Sequence, residues 1–177
     1  MARASRSSQT TKATLGVREL VLEGTAARLA TERLGANEEL DVLVATTEEL
    51  DGVVAELTPE SLVRYVELND AYHEELIRLA HSPTLERAIE HAMVLPFAAP
   101  GALLASHALL PRAREILVVA QFQHRALIDA IRSGHGSRAE SLAREHARLA
   151  QINLELVLED HAALAALRGA PLLRSVV

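Results

Sequence analysis

The chain alternates apolar and polar positions with a helical period. Across residues 15–34, Val17, Leu20, Val21, Ala27 and Leu29 recur at the spacing of one helix face, and Gly35 closes the run. Gly24, inside that run, marks a bend or a close approach. Asn37 is a good cap for a second helix, with Glu38 and Glu39 in its first turn; Leu40, Val42, Leu43, Leu50, Val53 and Val54 carry it to about residue 57. Thr58-Pro59-Glu60 combines a cap, a proline at the first helical position and an acid in the first turn, and starts a third helix ending near His81. Ser82-Pro83 repeats that signal for a fourth helix through Leu85, Ile89 and Met93, which breaks at Pro96. Residues 97–111 are irregular, with a short helix possible over 102–110. Pro111 starts a fifth helix through Ile116, Leu117, Val119, Leu127 and Ile131, stopped by Gly134. Ser137 and Glu140 make a capping box for a long sixth helix reaching about residue 168, before Gly169. No strand alternation, internal repeat or low-complexity segment interrupts this pattern. It predicts an all-α antiparallel bundle of six to seven helices over residues 14–177, preceded by a flexible polar tail over 1–13.

Composition narrows the picture. The 177 residues are 49% hydrophobic, enough for one domain with a sizeable core, yet only 2% aromatic. The core must therefore be built from Leu, Val, Ile and Ala, which favours helices. A net charge of −6 argues against a phosphate-binding surface, so no direct nucleic-acid binding by this chain is expected. Arg3, Arg6 and Lys12 make the tail basic, but it is far too short for a DNA-binding domain. There is no cysteine, so any transition metal must be held by imidazole, carboxylate, amide oxygen or water. No signal segment and no apolar run of membrane-spanning length is present, which leaves a cytoplasmic protein as the expectation.

The chemistry-bearing stretch is 68–76, LNDAYHEEL. Asn69 and His73 are four residues apart, one turn on the same helix face. His124 and His146 lie inside the fifth and sixth helical patterns. A bundle that turned Asn69, His73, His124 and His146 inward would hold three imidazoles with an amide oxygen beside them. Taken alone, an Asn–His pair on a helix is more often a satisfied or exposed pair than a ligand set. Zinc suits three imidazoles plus water, and nickel, manganese or iron fit if more oxygens join. Each ligand imidazole should pass its other N–H to an acceptor; Gln123, Asn153 and Asp70 are candidates. Arg64, His91 and His107 could line a cavity or face solvent, and Tyr72, beside His73, has core packing as its default. With Asn153, these four complete the candidate ligand-binding residues.

These residues also resemble a known family. The third helix, YVELNDAYHEEL over 65–76, is similar to the Asp/Asn-x3-His helix of FCD domains, the C-terminal effector-binding domains of FadR-type GntR transcription regulators. QHRALIDAIRSG over 123–134 is similar to that family's E-H-x-x-I-x-x-A-I-x-x-G-D segment; residues 139–146 resemble its next helix, which carries a ligand histidine, and residues 18–30 its first. The resemblance covers roughly residues 15–158. It implies an antiparallel helical bundle with a central cavity, a divalent metal held by Asn69, His73, His124 and His146, a small carboxylate effector bound against the metal, and a homodimer. Asn69 stands where Asp is commoner, which leaves the site more positive and its grip on a metal weaker. Gln123 and His135 replace acids of the family pattern. Residues 91–110 contain no arginine to clamp an effector carboxylate, which suggests a less charged ligand. The sequence begins almost where an effector domain should begin, so the winged helix-turn-helix that normally precedes it is expected to be missing.

Three functional readings follow. The first is a metal-dependent small-molecule sensor domain. The second is a stand-alone metalloenzyme of lyase, isomerase, cyclase or hydrolase type, in which His91, His107 or Glu75 would act as acid or base, with the catalytic residues otherwise unassigned. The third is an interaction module with a vestigial site, docked through the apolar residues 170–177. No Ser-His-Asp signature, phosphate-binding glycine loop or nucleotide fingerprint points elsewhere.

Overall fold

The computed structural model describes residues 21–34, 40–93 and 113–159. Six helices occupy them: α1 (21–33), α2 (Asp41–Ala55), α3 (Pro59–Leu79), α4 (Pro83–Met93), α5 (Ala113–Arg132) and α6 (Gly136–Glu159), with no strand among the described residues. Tail residues 1–13, Gly35, Asn37, residues 97–111 and the end of the predicted sixth helix lie outside them.

The helix starts show how far local signals reach. Thr58 caps α3 as its sequence predicts: its Oγ1 accepts from the Ser61 N–H at 3.1 Å, and its own N–H donates to Ser61 Oγ at 2.9 Å. The cap expected for α2, Asn37, and the first-turn acids Glu38 and Glu39 lie outside the described residues; within them the α-helix runs from Asp41, after Leu40 in a helical conformation. The Ser137–Glu140 capping box is corrected. α6 begins at Gly136, so Ser137 lies inside the first turn, and the Glu140 carboxylate pairs with Arg144 and with Arg28 of α1 instead.

The turns are equally specific. At the end of α5 the His135 N–H reaches the Ala130 carbonyl at 2.9 Å and the Gly134 N–H reaches that of Ile131 at 3.0 Å. This double closure requires the left-handed residue that Gly134 supplies at φ 71°. α3 ends through His81, a non-glycine residue at φ 45°, and Arg33 of α1 donates to the Ala80 and His81 carbonyls at 2.8 and 2.7 Å. A cation there satisfies carbonyls that the helix end leaves open and complements its dipole.

α5 packs on α6, and α2 on α3 and α5, around a core of Leu43, Leu50, Tyr65, Leu76, Leu117 and Leu127. α1 approaches through small residues: Ala26, Ala27 and Ala30 are fully buried. Gly24 is the close approach anticipated for that helix, for a Cβ there would stand 2.8 Å from Arg144 Cγ and 3.2 Å from the Glu140 carbonyl oxygen. α4 covers one end of α3 through Leu85 and Ile89.

Candidate metal centre

His73 comes from α3, His124 from α5 and His146 from α6, so three helices must be in register for the rings to meet. They do: His146 Nε2 lies 3.1 Å from His124 Nε2 and 3.3 Å from His73 Nε2. Each ring can offer one nitrogen to a common point, the three lying within 4.8 Å of one another. Tyr72 braces the group from α3. Its ring lies 4.1 Å, centroid to centroid, from that of His124, and its hydroxyl donates to the His124 carbonyl at 3.2 Å.

The outward-facing nitrogens are supported as well. His124 Nδ1 meets Gln121 Oε1 at 2.7 Å, and His146 Nδ1 meets Gln123 Oε1 at 3.1 Å. An amide oxygen only accepts, so a neutral ring that donates to it from Nδ1 leaves its Nε2 bare. His73 Nδ1 is buried without a hydrogen-bond partner, with the Glu23 carboxylate of α1 3.8 Å away.

The electrostatics favour neutral rings. Burial, and then the charge His146 would carry, pushes His73 down to about 3. Burial pushes His146 down to about 4. Burial, with His146, His73 and Arg125 adding to it, holds His124 well below its ordinary 6.5. Desolvation disfavours the imidazolium at all three positions. Neutral rings then turn their Nε2 atoms toward one another at hydrogen-bond distance, and a cation is a species that three converging imidazole nitrogens suit. The donor chemistry fits a divalent transition metal.

The other predicted site residues divide. Asn69 is buried one turn before His73. Tyr72 is buried against the histidines, with burial raising its phenol well above the ordinary value. Arg64 is corrected as a cavity residue: it is exposed and paired with Glu49 at 2.8 Å and Glu67 at 3.3 Å. His91 is exposed on α4, so it too is corrected. His107 and the side chain of Asn153 lie outside the described residues. Of the expected acceptors, Gln123 lies against a histidine ring nitrogen, that of His146, whereas the contacts of Gln121 and Glu23 were not anticipated. Both had a signal in the chain. Gln121 lies three residues before His124, hence on its face, and Glu23 interrupts the small-residue row continued by Ala27 and Ala30.

No curated protein matches the sequence. The FCD domain model matches residues 17–149, a span that includes α1 to α5, the three histidines and the amides that support two of them. The chain therefore belongs to the FCD domain family, the effector-binding halves of GntR-type regulators.

Proposed function

We propose that the chain is a metal-dependent, small-molecule-binding domain of the effector-sensing kind, with His73, His124 and His146 holding a divalent ion and Asn69 beside them. One observation carries the reading: three desolvated, neutral imidazoles converge on their Nε2 atoms at 3.1 and 3.3 Å. Bound there, the ion would supply a Lewis-acidic point for an oxygen- or nitrogen-bearing effector. Zinc suits the three imidazoles best; nickel, manganese or iron would need further oxygen ligands. The protein's own part is to keep the rings neutral by burial, to aim two of them through Gln121 and Gln123, and to exclude water with Tyr72. A cytoplasmic homodimer, with no nucleic-acid contact of its own, completes the proposal.

No observation favours the metalloenzyme reading over this one. Glu75 is held by Arg78 in two hydrogen bonds of 2.7 Å, and His91 is exposed. The test is elemental analysis of the purified protein beside His73→Ala, His124→Ala and His146→Ala. Roughly stoichiometric metal in the wild type and its loss in each variant is the expected result. Unchanged metal content in all three variants would sink the assignment.

A further inference from the structure

Behind His124 a chain of polar groups runs to the protein surface, anchored on a different helix. Gln121 Nε2 donates to the Thr47 carbonyl of α2 at 3.2 Å and to Asp51 Oδ1 at 3.0 Å. Asp51 in turn pairs with Arg125, one turn beyond Gln121 on α5. Gln121 is 2% exposed and His124 is fully buried, whereas the Asp51 and Arg125 side chains are 38% and 41% exposed.

The direction of this chain is determined at its outer end. Asp51 carboxylate and Thr47 carbonyl are both acceptors, so the end of the Gln121 amide that faces them must be its NH2. Its oxygen is thereby turned toward His124. Reversing the amide would set its oxygen against two other oxygens and its NH2 against the Nδ1–H. Arg125 pairs with the Asp51 carboxylate and holds it in place. We propose that Gln121, locked by Thr47 and Asp51, is a positioning residue that decides which nitrogen of His124 is bare, keeping the hydrogen on Nδ1 and Nε2 open toward His73 and His146. A ligand imidazole's other N–H generally needs such a partner, and loss of one typically weakens metal binding about 10–100-fold. The consequence for affinity rests on the metal reading above; the choice of ring nitrogen does not.

Two measurements therefore separate the ideas. The first is the tautomer of His124 in the metal-free protein, read from ring 15N shifts in long-range 1H–15N correlation spectra. The second is zinc affinity by calorimetry. Wild type should show His124 with hydrogen on Nδ1 and a bare Nε2. Gln121→Met, unbranched and of similar length, should move a substantial share of the ring to the Nε2–H form and weaken zinc about 10–100-fold, while the His146 ring is unchanged. Asp51→Asn, at the half-exposed end, should fold even if Gln121→Met does not, and should shift a smaller share, because Thr47 still holds the amide. A wild-type His124 carrying its hydrogen on Nε2 would overturn the proposal. So would an unmoved tautomer in both variants. The expected tautomers in a protein that binds no zinc would support Gln121's role and remove the metal reading instead.

Discussion

Acid should unfold the metal-free protein through the histidine cluster, and the size of the effect can be worked out. All three rings have folded-state pKa values below the ordinary 6.5, with His73 at about 3 and His146 at about 4. The unfolded chain therefore binds more protons than the folded one as pH falls from 6.5 towards 4. The stability is fully present above 6.5 and is lost below it. At pH 5.5 each unfolded imidazole that stays neutral in the fold favours unfolding by about 1.4 kcal/mol, so three give about 4 kcal/mol. That is a large part of the 5–15 kcal/mol typical of a domain. The assay is urea denaturation followed by circular dichroism, in chelator, at pH 8, 7, 6.5, 6 and 5.5. The midpoint should be flat between 8 and 7 and fall steeply below 6.5, and His146→Ala should flatten the profile by removing one proton-binding ring and relieving its neighbours. A wild-type midpoint that stays level to pH 5.5 would mean that the rings are solvated, and the burial described above would be wrong.

Zinc should protect the wild type against heat, by about 2.7 kcal/mol at one hundred times its Kd, and should leave the three alanine variants unprotected; thermal melts with and without zinc decide this, and protection of every variant would count against these ligands. Gly24→Ala gains up to about 1 kcal/mol of helix propensity but forces a Cβ against Arg144 Cγ and the Glu140 carbonyl, an overpacking that costs about 1–3 kcal/mol. The expected net result is a lower Tm by a few degrees, and a raised Tm would show that α1 and α6 are farther apart. Arg64→Ala should leave zinc affinity unchanged, because its partners are surface carboxylates; a tenfold loss in calorimetry would restore it to the site. The chain should show no salt-sensitive binding to duplex DNA in fluorescence anisotropy, and a steep salt dependence would contradict the reading of its net charge.

Much of the fold was legible because helix starts are written locally. Thr58-Pro59 and Ser82-Pro83 identify their own positions, whatever the rest of the chain does. The start of α6 was not, since Ser137 looks like a cap in isolation, but the closure at Gly134 and His135 starts the helix one residue earlier. The site divides along the same line. The histidines were placed by order and spacing within the family pattern, and Gln123 by its neighbour. The face that Glu23 and Gln121 occupy on their own helices was readable, but that they meet His73 and Asp51 depends on which helices pack together, a fact held in no single segment. Arg64 is different, because the choice between cavity and solvent could be made from the spacing alone. It lies nine residues from His73, two and a half turns, and therefore on the opposite face of α3.

The closure at Gly134 has a consequence for what lengths the molecule tolerates. His124 stands ten residues before that glycine and His146 twelve after it, on two antiparallel helices joined by a tight hairpin. The hairpin works as a ruler with its zero at Gly134. One residue inserted into α6 between 136 and 146 would turn His146 by about 100° and carry it about 1.5 Å along the axis, away from both partners. The substitution record of such a hairpin can drift freely on its outer faces, while its length between His124 and His146 cannot change by a single residue without dismantling the centre.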